Sequence, residues 1–297
     1  MNESPFNVQI IRSLSKFLAQ AEPFLLKAEA ENNLILGITG NLVRRSPHAA
    51  DVTNQERLTN PPFFFHATHP DGVVGAALLR SSPLPLGRIV LTSMPEPATR
   101  DLAKLLVEHH LTPSGAVGPV KSVLSFSAAL AGLTGKPLCE RHRQEVYELT
   151  KSIPPRHPAP GLLRPAQITE LALIQAWGEQ FIRETGIDST DMKSLALGLI
   201  QNGQLFVWEE QGIPRTMAAW SSPTLHGVRI NLVYTPPEER KNGWASSAVA
   251  GLGQRLLSQG RRSCYLFPDL ANPASNRLYQ AIGYQAVCEF RVMDFQK

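Results

Sequence analysis

The chain is short of cysteine. Its three, Cys139, Cys264 and Cys288, are odd in number and far apart, which argues against a disulfide framework or a zinc site and for reduced, buried thiols. Charge is sparse as well: acidic and basic residues make up 18% of the 297 positions, and the net charge of +4 is mild. The basic residues are scattered rather than striped with aromatics, so no nucleic-acid surface is expected, while an anionic small ligand is compatible with the positive balance. Long apolar runs are missing. The longest, such as residues 72–79, fall far short of the roughly eighteen residues that span a bilayer, which excludes a membrane helix. The first six residues have neither a basic region nor an apolar core of the kind that directs secretion, so a cytoplasmic protein is expected. Several catalytic signatures are absent too. There is no Walker A lysine loop and no Gly-x-Ser-x-Gly elbow, and Gly251-Leu-Gly253 has Leu256 where a dinucleotide fingerprint needs its third glycine. The neighbouring histidines, His66 with His69 and His109 with His110, are not aimed at one metal by strand or helix geometry, and no metal is expected.

What is present reads as an ordinary globular α+β chain, long enough for two domains. Residues 6–45 have helical periodicity, with Ile10, Leu14, Phe17 and Leu18 on one stripe and an interruption at Pro23. Residues 46–60 read as a loop. Residues 63–68 and 73–79 flank His69-Pro-Asp-Gly72 as a hairpin, and 88–92 is a third strand. A helix over 98–111, a short extended piece at 115–118, a helix over 120–133 and a strand at 144–149 close the first half. Residues 152–161 hold four prolines and are expected to link two domains, 1–151 and 162–297.

The second half opens with a strand at 162–164, an amphipathic helix over 168–184 and a further helix beginning at Asp188-Ser-Thr. Strands follow at 204–208, 215–220 and 229–234. A helix starts at Ala245 and ends at Gly260, and then come a strand at 263–267, a helix over 273–282 and a last strand from 284 to 295. The two halves share one order: two helices, three strands, helix, strand, helix, strand.

The stretch that concentrates chemistry is Val233-Tyr-Thr-Pro-Pro-Glu-Glu-Arg-Lys-Asn-Gly-Trp-Ala245. The prolines stop a strand, and from Ala245 the residues Ala248, Val249, Leu252 and Leu256 continue one helical face. A helix N-terminus has backbone N–H groups without carbonyl partners and a partial positive charge of about half a unit, so an anion can sit there. Gly243 leaves room for close approach, and Arg240 adds a permanent charge. An ordinary strand–loop–helix connection is the plain alternative. In the corresponding place the first half has Met94-Pro-Glu-Pro-Ala-Thr-Arg100, without the glycine loop. Further on, Asn272 suits an N-cap, Pro273 the first helical position and Gly283 the helix end, while Ser275 and Tyr279 lie one turn apart on one face.

Together, Arg240-x-x-Gly243-x-Ala245 after a strand and Asn272-x-x-Ser275-x-x-x-Tyr279-x-x-x-Gly283-Tyr284 resemble the GNAT (GCN5-related) superfamily of acyl-CoA-dependent N-acyltransferases. The resemblance covers the half from Leu162 onward. The tandem layout, with a degenerate N-terminal GNAT-like copy, also occurs in that superfamily. It implies two domains, each a mixed, mostly antiparallel sheet flanked by helices. It also implies acetyl-CoA as co-substrate, with coenzyme A pyrophosphate on the N–H groups of Lys241, Asn242, Gly243, Trp244, Ala245 and Ser246, framed by Arg240. The pantetheine arm would pair with the backbone of Leu232, Val233 and Tyr234 as an added strand, and Asn272 and Ser275 would hold it from the other side. The implied reaction is direct attack of a neutral amine on the thioester, with the backbone N–H near Val233 polarising the carbonyl and Tyr279 as general acid. No carboxylate stands on the strand 229–234. Glu238 and Glu239 read first as loop charge, and deprotonation through water is as good an account. Trp220 and Tyr234 end adjacent strands, lining an acceptor pocket or packing a core. The first half is assigned shape and support, either walling the acceptor site or mediating assembly into a homo-oligomer. Two other readings stand beside this one: a non-catalytic acyl-CoA-binding or regulatory module, and an enzyme whose acceptor is a protein amine, a lysine or an N-terminus.

Overall fold

The computed structural model describes residues 4–45, 62–80, 87–187 and 190–295. In chain order the first half holds β1 (Asn7–Ile11), α1 (Leu14–Leu26), α2 (Asn33–Arg45), β2 (Phe63–His69), β3 (Gly72–Leu79), β4 (Ile89–Leu91), α3 (Glu96–Glu108), β5 (Gly115–Pro119), α4 (Val120–Thr134) and β6 (Leu138–Leu149). The second half repeats the order as β7 (Leu162–Pro165), α5 (Leu171–Thr185), α6 (Met192–Gln201), β8 (Leu205–Glu210), β9 (Ile213–Ser221), β10 (Gly227–Tyr234), α7 (Trp244–Ser258), β11 (Ser263–Leu266), α8 (Pro273–Ala281) and β12 (Gln285–Phe295). The α+β class and the duplicated order agree with the sequence reading. Among the described residues no helix is long and apolar enough to cross a membrane.

Two compact units emerge, and they follow the chain with an exchange at the ends. One comprises Met1–Val146, Pro268–Ala271 and Val287–Lys297, and the other Tyr147–Phe267 and Asn272–Ala286. The first unit's strand order is β1-β2-β3-β4-β5-β12, and the second's is β7-β8-β9-β10-β11-β6. The end of each half's last strand therefore completes the sheet of the other half. Phe290 to Asp294 of β12 run antiparallel to Pro119 to Gly115 of β5, and Tyr147 to Leu149 of β6 run antiparallel to Leu266 to Cys264 of β11. In each unit one neighbouring pair is parallel, β4 with β5 and β10 with β11.

The second unit's sheet carries a core on each face. Val249, Leu252 and Leu256 of α7 and Ile282 pack on Ala218, Val228, Ile230, Cys264 and Leu266. On the other face Ile174 and Trp177 of α5 and Met192, Ala196 and Leu199 of α6 cover Leu205, Val207, Met217 and Ala219. The period-two alternation of β8 to β10 splits these sets between the faces.

Three expectations are corrected. The helical stripe from residue 6 begins instead with a strand: Asn7-Val-Gln-Ile-Ile pairs with Phe64 to Thr68, and Val8 and Ile10, two apart, turn inward together. Ile10 fits both periods, and pairing with β2 decides. The helix does not stop at Pro23, which lies inside the last turn of α1, where it removes a single N–H bond near an end that would fray anyway. Cys139 is exposed rather than buried, because β6 turns its outer part to solvent, whereas Cys264 is fully buried. The expected loop at 46–60 and the Asp188-Ser189 helix start lie outside the described residues; α6 begins at Met192, with Asp191 accepting from the Ser194 N–H.

Residues 152–161, expected as a linker, fall within the second unit and are anchored there. The Ser152 hydroxyl donates to the Ala250 carbonyl (3.0 Å), the Ala159 N–H to the Ser247 hydroxyl (2.9 Å) and the Trp208 indole N–H to the Pro160 carbonyl (2.7 Å).

Candidate active site

Strand β10 begins as a regular partner of two neighbours and ends as a partner of one. Its parallel ladder with β11 covers Gly227 to Arg229, although β10 runs on to Tyr234. On its other side Asn231 stands opposite Ala219 and Tyr234 opposite Met217, so β10 carries an extra residue there, and Leu232 has φ 47°. This is a β-bulge, and it re-aims the remainder of the strand. Val228 and Ile230 face α7, whereas beyond the bulge Leu232 and Tyr234 pack towards α5, and Val233 turns to the α7 face. Neither Leu232 nor Val233 has a register partner on β9 or β11. Their backbone groups stand where the strands part.

The loop after β10 delivers the chain to the start of α7. Lys241 and Gly243 both have left-handed backbone, φ 69° and 79°. Gly243 is the N-cap, and the space beside it is bounded by the His157 carbonyl, 3.5 Å from where a Cβ would stand. The helix has no side-chain cap and no acidic residue in its first turn. The first helical bond runs from the Ser247 N–H to the Gly243 carbonyl, so the N–H groups of Trp244, Ala245 and Ser246 precede the ladder. The Ser246 hydroxyl donates to the Gly243 carbonyl (2.8 Å), bracing the turn. Lys241 and Asn242 are exposed, and Lys241 has no ion pair among the described residues.

Arg240 does not point freely at that loop. Its guanidinium donates to both Glu184 oxygens (2.6 and 2.8 Å) and to the Thr235 carbonyl (2.9 Å), and it lies over the Tyr234 ring at 5.7 Å. The Tyr234 hydroxyl donates to Gln180 (2.8 Å) and lies 3.2 Å from a Glu184 oxygen, both on α5. Burial and the Glu184 carboxylate raise its pKa. Tyr234 thus packs with α5, while Trp220 packs on the opposite, α7 face of the sheet, so the two do not line one pocket. Glu239 is held by Arg215 (2.5 Å), which also binds Glu210 (2.8 Å). Glu238 is exposed.

Helix α8 begins as its sequence suggests. The Asn272 side-chain oxygen accepts from the Ser275 N–H (3.1 Å), leaving the amide nitrogen of this exposed cap without a partner among the described residues. Tyr279 is half-buried against the same apolar cluster as Val233, so strand end and phenol share one environment. Its ring meets Tyr284 edge to face at 5.8 Å. Among the described residues its hydroxyl has no hydrogen-bond partner, and burial pushes its pKa up to about 12. At neutral pH it is a proton donor without an acceptor.

The α5 face of β10 carries groups that motif reading passed over. Arg229 and Asn231 lie on that face, opposite to Val228 and Ile230. The Asn231 amide donates to the Ser221 hydroxyl (2.6 Å), but its oxygen is buried without a partner. The Arg229 guanidinium stacks 5.1 Å from the Phe267 ring centre, its Nε is buried without a partner, and burial lowers its pKa to about 10. A signal existed: Val-Arg-Ile-Asn-Leu alternates apolar and polar, and an arginine in such a strand faces something other than core.

In the first unit the equivalent helix start differs. α3 follows Pro95 and has Glu96 in its first turn, a charge that opposes an anion there. β4 ends at Leu91, one residue past its last pair with β5, so no unpaired strand end precedes the loop.

Known proteins share this arrangement of elements. Residues 210–292 match the family model described as FR47-like protein, a span that includes β10, α7 and α8. No curated protein sequence matches the chain. Among solved structures, a Drosophila protein determined by X-ray diffraction superposes with a TM-score of 0.66 at 13% identity, covering 97% of this chain and 98% of that one. A GCN5-related N-acetyltransferase from Sphaerobacter thermophilus gives 0.59 at 15% identity over 99% and 96%. An acetyltransferase of the GNAT family from Colwellia psychrerythraea gives 0.54 at 14% over 97% and 98%. Fold likeness thus extends over nearly the whole chain, and the chain has the fold of the GCN5-related N-acetyltransferases.

Proposed function

We propose that the protein is an acetyl-CoA-dependent N-acetyltransferase, acting on a primary amine at the end of β10 in the second unit. The observation that carries this reading is a pairing: the uncapped start of α7, free of acidic residues, directly follows a strand end whose residues 232 and 233 lack register partners. These residues fit coenzyme A. The N–H groups from Lys241 to Ser246 suit a pyrophosphate, with Lys241 as the nearby cation and Arg240 bracing the loop through Thr235 and Glu184. The backbone of Leu232 to Tyr234 suits the amides of a pantetheine arm, with the exposed Asn272 and with Ser275 on its other side.

Acetyl-CoA supplies an activated acetyl group. The amine nitrogen forms a bond to the acetyl carbon as the carbon–sulfur bond breaks. The Val233 N–H polarises the carbonyl oxygen, and Tyr279 gives its proton to the departing sulfur. β10 has no carboxylate, and Glu239 is occupied by Arg215, so water takes the proton that the amine loses. In this reading residues 162–297 are the catalytic copy and 1–151 a degenerate one, with 152–161 between them, and the cytoplasm is where acetyl-CoA is met. The test is a panel of amino acids, polyamines, peptides and intact proteins incubated with acetyl-CoA, followed by thiol detection and mass spectrometry. An added acetyl group matched mole for mole by free thiol is expected. Coenzyme A binding without amine-dependent thiol release from any acceptor would favour a non-catalytic binding module.

A further inference from the structure

The α5 face of β10 holds two polar groups whose needs the protein does not meet. Arg229 is a guanidinium with a buried Nε and, among the described residues, neither a hydrogen bond nor an ion pair. A guanidinium whose Nε is withdrawn from water costs free energy unless an acceptor is supplied, and here its neighbour is the Phe267 face. The carboxylate two strands away, Glu148, is occupied by the Ser263 hydroxyl (2.6 Å) rather than by Arg229. Two residues further along the same face, Asn231 is fixed by its bond to Ser221 so that its amide oxygen is buried and unpaired. The two groups differ in kind, a fork of donors and a single acceptor. Side chains at i and i+2 of a strand stand about 7 Å apart, the span of a small molecule that carries an anion and an amine.

Their place gives the pairing meaning. Arg229 is the last residue of β10 paired with β11, and Asn231 immediately precedes the bulge, so both border the point where the strands part. The ring of Tyr265 crosses Gly227, where a Cβ would lie within 2.3 Å of it, and fills the space beside Arg229 that a larger residue would take. We propose that Arg229 and Asn231 form the acceptor subsite and that the acceptor is a short amino carboxylate. Its carboxylate is received by the Arg229 fork and its amine N–H by the Asn231 oxygen, which holds the nitrogen beside the point where β10 parts from β11. Planar two-point pairing of guanidinium with carboxylate supplies the geometry, and the aromatic Phe267 face keeps the guanidinium in place.

The subsite rests on the acetyl-transfer reading for its chemistry but not for its binding. The experiment compares glycine, β-alanine, glutamate and phenylalanine with their amides, by calorimetric titration of the coenzyme A-bound full chain and by acetyl-CoA turnover. Acids are expected to bind and to react with kcat/KM on the order of 100-fold above their amides. In Arg229→Gln that acid-to-amide ratio falls towards one through KM, and Arg229→Lys restores part of it. Equal handling of acids and amides by the unmodified protein overturns the assignment, even if the variant does not fold. Tight binding of acids without any turnover leaves the subsite standing and removes the acyl-transfer reading instead.

Discussion

At the scale of the residue, the chemistry turns on groups with and without partners. Tyr279 keeps its proton because burial raises its pKa to about 12, and nothing described accepts it. Below that value the phenol stays protonated, so it can donate throughout the neutral and mildly alkaline range. At saturating amine the rate should therefore show no loss attributable to Tyr279 between about pH 7 and 10. A fall with a midpoint near the ordinary phenol value of about 10 that is absent in Tyr279→Phe would show an unshifted phenol. Arg240 is the contrasting case. From the sequence it reads as a cation on the phosphate loop, yet both oxygens of Glu184 hold it. The pair is exposed to over two-fifths on each side, so its worth to stability is at most about 1 kcal/mol. Arg240→Gln is expected to weaken coenzyme A binding less than about fivefold, because the helix N–H groups carry the pyrophosphate. A loss of about 100-fold in a titration would mean that Arg240 leaves Glu184 for the ligand. No sequence pattern announces Glu184 as its partner, since 56 positions separate them.

At the scale of the element, the bulge in β10 and the start of α7 were legible to different degrees. The glycine at 243 and the helical face beyond it are plain in the sequence, and the structure gives that glycine φ 79° with no cap beside it. Gly243→Val should cost about 1–2 kcal/mol of stability, because a β-branched residue resists left-handed backbone. It should also weaken coenzyme A binding by about tenfold or more. Urea unfolding and calorimetry on one preparation check both effects, and unchanged affinity would place the anion elsewhere. The bulge is far less plain: alternation in Val-Arg-Ile-Asn gives way to Leu-Val-Tyr, but a run of three apolar residues also fits a regular strand in a sheet with a core on each face, so the run alone does not announce the bulge. The strand β1 was hidden for a related reason. Val8 and Ile10 satisfy period two, but Ile10, Leu14 and Phe17 satisfy a helix equally well, and only the partner strand β2 breaks the tie.

At the scale of the molecule, duplication was readable and the exchange of closing strands was not. The order of elements repeats along the sequence, but which sheet a last strand joins depends on contacts distant in the chain. The end of β6 sits on β11, and that of β12 on β5. A cut at the proline-rich stretch therefore divides neither unit cleanly. Residues 162–297 expressed alone would leave β11 without Tyr147 to Leu149 and β12 without β5, exposing two strand edges. We expect that fragment to aggregate, and deletion of residues 287–297 from the full chain to destabilise the first unit. A soluble fragment with a cooperative thermal transition would contradict the exchange. The difference at the two helix starts, Gly243 without an acid and Pro95 followed by Glu96, further predicts one coenzyme A per chain.

The central claim is that acetyl transfer occurs at the end of β10 with Tyr279 as proton donor. The most direct measurement is single-turnover thiol release from acetyl-CoA at saturating amine, comparing the unmodified protein with Tyr279→Phe after both have been shown to bind coenzyme A equally. One equivalent of thiol per chain is predicted, with a rate slowed about 100-fold in the variant. Equal rates in the two proteins would contradict it.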